Sequence, residues 1–189
     1  EKGYDPLTRI LNRQAFDQVT SDISYTENPD QSIETEKSFK AIAMLDIDRF
    51  KLINDNFGHA IGDETLVLFA QTIRTVLRQE DLFFRYGGEE FVVLVKEKSD
   101  SEQAFTALER CRKAIEEKRF PQVGQVTVSI GYAELSPDAH FAYVLSKADK
   151  ALYYIKNNGR NSVESYEDLV ERGLLDVVIP IEGEADFWD

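Results

Sequence analysis

The sequence predicts an α+β fold, an antiparallel or mixed sheet with helices packed on one face. Three observations carry this. The segments follow the order helix, strand, helix, hairpin, helix, strand, helix. The middle pair of strands is joined tightly, around two glycines. No glycine-rich strand-to-helix turn of the P-loop or dinucleotide kind occurs.

Each element has a local reason. Pro6 to Val19 reads as a first helix, with Leu7, Ile10, Leu11 and Phe16 on one side. Thr20 to Lys40 is rich in Ser, Thr, Asp and Glu and reads as the tail of that helix and a long polar loop. Ala41 to Ile47 is a short apolar run ending in acid, the pattern of a buried strand. A loop or short helix spans Asp48 to Gly62. Asp63 then caps a helix whose residues Leu66, Phe69, Ala70, Ile73, Val76 and Leu77 keep helical spacing. Asp81 to Lys96 reads as the hairpin, with Gly87 and Gly88 at its turn. Ser101 to Lys118 is a helix with Ala104, Leu108, Cys111 and Ile115 inward. Gln125 to Ala133 is a strand. Ser136-Pro137-Asp138 opens a helix running to about Asn158, and Gly159 is its stop. Ser162 to Tyr166 is a last short strand. The expected organisation is one domain over 1–166 and an acidic tail over 167–189, to which no role is assigned.

Composition narrows the function classes. The chain has 22 Lys and Arg against 35 Asp and Glu, a net charge of −13. That balance argues against non-specific nucleic-acid binding, whose affinity comes from neutralising phosphates, and against attachment to anionic lipid. It leaves room for a nucleotide enzyme, because a few local cations suffice for one triphosphate. Cys111 is the only cysteine and His59 and His140 the only histidines, so neither a disulfide framework nor a His/Cys zinc site is expected. No apolar run approaches the roughly 20 residues of a membrane span. A cytoplasmic domain is expected. Because the chain opens at Glu1 rather than Met, it is expected to follow an upstream sensory domain in a longer protein.

Two acidic sites stand out. Asp46 and Asp48 lie at the end of the first strand, and Glu89 and Glu90 at the hairpin tip. Carboxylates facing one another from a strand end and a neighbouring hairpin hold hard cations such as Mg²⁺ through oxygen. The alternative is a set of solvated turn residues. The paired glycines tilt the reading towards a ligand, since they admit positive φ and remove Cβ atoms beside the acids.

The segment Arg85-Tyr86-Gly87-Gly88-Glu89-Glu90-Phe91 resembles the signature of the GGDEF family, the diguanylate cyclases, in its GGEEF form. The resemblance extends from about Tyr4 to about Val163. It includes YDPLTRILNR at 4–13, DIDRFKLINDNFGHAIGDETL at 46–66, SIGYA at 129–133 and ADKALYYIKNNGRN at 148–161. It implies a palm-like nucleotidyl cyclase fold, a central mostly antiparallel sheet flanked by helices. The implied reaction condenses two GTP into cyclic di-GMP and two pyrophosphates, between two domains meeting as an antiparallel homodimer.

By the same resemblance, Asp46, Glu89 and the Ile47 carbonyl are ligands for Mg²⁺, with Mn²⁺ an alternative. Asn54 and Asp63 read the guanine edge and His59 lines the base pocket. Gly87 and Gly88 let the nucleotide approach. Lys51 faces the triphosphate, and Lys156 and Arg160, four apart on one helical face, meet the same anion. Glu89 and Glu90 are the acids at the reacting centre. Arg78-Gln79-Glu80-Asp81 has the RxxD pattern at the offset of the family's inhibitory site, where Arg78 meets phosphate and guanine face and Asp81 the guanine edge. Taken alone, RxxD is an ordinary charged helix end. The chain departs from the family pattern at Arg9 and Ile10, where Gly-Leu is usual. The other reading of the domain is a non-catalytic receptor for cyclic di-GMP or GTP.

Overall fold

The apolar run at residues 41–47 forms the centre of a five-stranded sheet. In the computed structural model, which describes residues 2–24, 39–97 and 102–177, that strand is β1, Phe39–Ile47. β3 (Glu90–Lys96) and β6 (Val128–Glu134) pair with it antiparallel on either side. β2 (Leu82–Gly87) pairs antiparallel with β3, and β7 (Val163–Ser165) runs parallel beside β6, giving the order β2-β3-β1-β6-β7. β4 (Arg119–Phe120) and β5 (Gly124–Gln125) make a separate two-stranded ladder. The helices are α1 (Arg13–Ser24), α2 (Phe50–Phe57), α3 (His59–Val76), α4 (Ala104–Glu117), α5 (Phe141–Asn157) and α6 (Tyr166–Glu171). Among the described residues, no helix is long and apolar enough to cross a membrane.

The helices cover both faces of the sheet, not one as expected. β1 is buried at every position from Ala41 to Ile47, and successive strand residues point to opposite faces. Ala43, Leu45 and Ile47 pack with Phe69 and Ile73 of α3 and Leu108 and Ile115 of α4. Ile42 and Met44 pack with Phe16 of α1 and Val144, Ala148 and Leu152 of α5. A strand apolar on both faces needs a helical layer on each.

The first helix begins later than its pattern suggests. Asp5 accepts from the Thr8 N–H at 2.8 Å and the Thr8 hydroxyl at 2.7 Å, and Arg9 follows with φ 67°. This local turn competes with helix over residues 5–10. Asn12 then caps α1 by accepting from the Ala15 N–H at 2.9 Å. Leu7 and Ile10 join one core and Leu11 and Phe16 the other, so they do not share a face.

Asp63 does not cap α3. The helix starts at His59 after the single residue Gly58 (φ 87°), and Asp63 sits exposed in its second turn. The hairpin turn is Gly88–Glu89, with Gly87 ending β2. Neither Gly87 nor Gly88 has a left-handed φ, so openness rather than backbone freedom explains them. A Cβ on Gly88 would meet nothing within 4 Å. α5 ends as expected: Gly159 is left-handed at φ 106° and the Arg160 N–H returns to the Ile155 carbonyl at 2.9 Å. Beyond β7, Tyr166 and Leu169 of α6 are buried in the α5-side core. The polar segment over 25–38 and the end of the acidic tail over 178–189 lie outside the described residues.

Candidate active site

The carboxyl end of β1 meets the β2–β3 turn, and there the acids gather. In the β1–β3 register Asp46 stands opposite Glu90, and the Ile47 N–H donates to the Glu89 carbonyl at 3.4 Å. Asp46 is buried, and the Lys156 ammonium, from the last turn of α5, donates to its Oδ2. Burial lifts the Asp46 carboxyl to about 6; Lys156 acts against the rise, and the charges of Glu89 and Glu90 add to it. Asp149 on α5 is also raised by burial and lowered by Lys156. One ammonium therefore faces two acids, Asp46 and Asp149.

This donor set suits a hard divalent cation. Asp46, Glu89 and the Ile47 carbonyl are all oxygen donors, and Asp46 feels the negative charge of both Glu89 and Glu90. Among the described residues no three His, Cys, Asp or Glu side chains are grouped to hold a metal unaided. Two carboxylates and a carbonyl would leave positions for phosphate oxygens.

Asp48, the other acid of the strand end, is a structural clamp. It is buried and accepts from Thr127 Oγ1 at 2.8 Å, Ser129 Oγ at 2.6 Å and the Asn161 N–H at 3.0 Å. Asn161 is itself held by Arg112 of α4, whose Nη1 donates to its Oδ1 at 2.9 Å. Asp48 thus ties β1, β6 and the turn after α5 together.

The remaining residues fall into three places. Asn54 of α2 lies against α3 at Gly62, with Asp63 the next residue and His59 four residues earlier on the same helix. Lys51 is exposed on α2. Arg160 is not on the helical face of Lys156: α5 has ended, and Arg160 is left-handed at φ 59° within the turn that Asn161 anchors. A Gly at 159 reverses the chain, so a four-residue spacing no longer means one face.

The Arg78–Asp81 turn lies at the start of β2. Asp81 is buried and both its oxygens accept backbone N–H groups, Oδ1 from Lys96 at 2.9 Å and Oδ2 from Arg78 at 3.1 Å. Asp81 thereby shapes the turn that carries Arg78. The Arg78 guanidinium pairs with Glu102, which also takes Arg110.

Sequence reasoning assigned no task to Arg85. Its Nε and Nη2 donate to the Gly88 carbonyl at 3.1 and 2.9 Å, and Nη1 pairs with Asp5 at 3.2 Å. It braces the hairpin tip against the N-terminal segment. A cation two residues before the paired glycines was the available signal.

A family model described as diguanylate cyclase, GGDEF domain, matches residues 2–162. The chain belongs to the GGDEF family. This GGDEF domain is 40% identical over 163 residues to diguanylate cyclase A of Treponema denticola, covering 84% of this chain and 43% of the relative. The chain spans less than half the length of the curated relatives it matches. Among solved structures it is similar to the GGDEF domain of DgcB from Caulobacter crescentus in complex with c-di-GMP. That match has 33% identity and a TM-score of 0.75, covering 88% of this chain and 97% of that one. It is also similar to the active GGEEF domain of a diguanylate cyclase from Vibrio cholerae, at 35% identity and a TM-score of 0.61, covering 67% and 81%. The five-stranded mixed sheet with flanking helices is thus the fold of the family.

Proposed function

We propose that this domain is a diguanylate cyclase that condenses two GTP into cyclic di-GMP and two pyrophosphates across an antiparallel pair of domains. The observation that carries the reading is the convergence at one point of Asp46, Ile47, Glu89, Glu90 and Lys156. The 3′-hydroxyl oxygen of each GTP attacks the α-phosphorus of the other. A P–O bond forms as the bond to pyrophosphate breaks, and the hydroxyl proton passes to solvent water. Two such steps close the ring. Asp46, Glu89 and the Ile47 carbonyl would hold Mg²⁺ or Mn²⁺, whose chemistry there is to neutralise phosphate charge and acidify the hydroxyl. Glu90 orients the attacking hydroxyl. Lys51, Lys156 and Arg160 stabilise the charge of the departing pyrophosphate.

Asp63 accepts from guanine N1–H and the 2-amino group, a pair of donors adenine lacks. Asn54 completes that recognition and His59 lines the base. Gly87 and Gly88 leave the hairpin tip open to the nucleotide. Arg78 serves a separate inhibitory site for the cyclic product, on the turn that Asp81 closes.

Incubation with GTP and Mg²⁺, with the product identified by mass, tests the activity. Glu89→Gln keeps volume and removes one anionic donor, so turnover is expected to fall at least about 10³-fold with the thermal midpoint retained. Near-normal synthesis by this variant would refute the assignment, and binding of GTP without any product would favour a receptor.

A further inference from the structure

Gly62 stands in the first turn and a half of α3, buried, with no left-handed φ to require a glycine. Its reason is space. A Cβ there would fall 1.9 Å from Asn54 Oδ1, 3.0 Å from Asn54 Cγ and 3.5 Å from Phe50 Cζ. The Asn54 carboxamide therefore occupies the notch left by the missing side chain. The corner around it is tight. Gly58 alone joins α2 to α3, its N–H donates to the Asn54 carbonyl at 2.8 Å, and the Gly62 N–H donates to the Gly58 carbonyl at 3.0 Å. Asn54 is thus held at its backbone by the corner, and its side chain lies in the notch of α3, one residue from Asp63.

We infer that Gly62 is a positioning residue for base selection: its lack of a side chain fixes the Asn54 carboxamide beside Asp63, so that amide and carboxylate face one base edge together. The inference rests on the proposed reading of Asn54 and Asp63 as the guanine pair. An amide presents either a donor or an acceptor depending on its rotation, so a guanine reader of this kind works only if that rotation is set. A methyl group at position 62 would displace the amide without an evident penalty to the fold. Ala is a better helix former than Gly by about 1 kcal/mol, and Oδ1 is the free end of a short side chain able to swing away.

The test is a cycle of G62A, N54A and N54A/G62A. Binding of a non-hydrolysable GTP analogue and of its inosine counterpart, which lacks the 2-amino group, is measured by calorimetry, alongside thermal midpoints. G62A is expected to weaken the guanine analogue about tenfold, the size of one lost hydrogen bond, to narrow the guanine-to-inosine ratio, and to keep its midpoint. In the N54A background G62A should add nothing. Parent-like affinity and ratio in G62A, or losses that add in the double variant, would overturn the inference while leaving N54A's own defect intact. Parent-like affinity in N54A would instead remove the guanine reading beneath it. If G62A does not fold, the double variant decides, since the clash is gone there: stability equal to N54A supports the inference, and a double variant as unstable as G62A rejects it.

Discussion

Arg78 meets its proposed ligand with a guanidinium already engaged by Glu102, which bridges Arg78 and Arg110. A phosphate of the cyclic product and the Glu102 carboxylate compete for one guanidinium. Partly exposed ion pairs of this kind contribute about 1 kcal/mol or less, so Glu102→Gln should tighten cyclic di-GMP binding by up to about fivefold. Arg78→Ala should abolish it and relieve product inhibition while sparing catalysis. Equal affinity of the parent and Arg78→Ala in a calorimetric titration would defeat the site. Residue type alone could not assign the neighbouring acids. Asp46 and Asp48 are two positions apart in one strand end, yet one faces Lys156 and the hairpin while the other is closed off by Thr127, Ser129 and Asn161. Those partners come from β6, from the residue just before it and from the turn after α5, and no local pattern announces them. The partners of Asp81 were hidden for the same reason, being backbone N–H groups, one of them from β3.

At the scale of elements, the placement of Lys156 depends on how closely α5 crosses β6. A Cβ on Gly131 would meet Leu152 N at 2.2 Å and the Ala148 carbonyl oxygen at 2.5 Å, both backbone atoms. Neither can swing aside, so Gly131→Ala must push α5 off the sheet. A loss of about 1–3 kcal/mol in chemical denaturation is expected, with weaker nucleotide binding because Lys156 moves with the helix. A fully stable Gly131→Ala protein would mean the two elements do not cross this closely. The long elements were legible because their apolar spacing is strong: Leu108, Cys111 and Ile115 of α4 are buried as that spacing requires. The first helix was not, because Asp5 and Thr8 close a turn inside what looks like helical periodicity. Element ends also carry a pH effect. On α6, Glu167 Oε1 accepts from the Glu134 N–H at 3.1 Å, while the buried Oε2 makes no hydrogen bond among the described residues. Burial raises this carboxyl above its usual value. Its stabilising contribution is therefore full below the unfolded-state pKa and is lost as pH rises through the folded one. Glu167→Gln should be more stable than the parent at neutral pH, by under about 1 kcal/mol given partial exposure, and the two should converge in acid. A difference that does not change with pH would contradict this.

For the molecule as a whole, the decisive quantity in the proposed reaction is the encounter of two loaded domains. One domain presents one set of Asp46, Glu89 and Lys156 and one Asn54–Asp63 pair, enough for one GTP in the proposed reaction. Ring closure then needs a second domain facing the first. Each carries a net charge of −13, and bound triphosphate adds to it, so approach is opposed over a Debye length of about 10 Å at 0.1 M salt. Below the dissociation constant of the pair, the dimer concentration rises with the square of the protein concentration, and specific activity should rise in proportion to protein. Moderate added salt should raise it further in that dilute range by screening repulsion, and should have little effect once dimers are saturated. A dilution series from nanomolar to high micromolar, assayed at two ionic strengths and paired with sedimentation to follow the monomer, reads both effects. Specific activity that stays constant across the series while the protein sediments as a monomer would show that a single domain completes the reaction, and the two-domain mechanism would have to be abandoned.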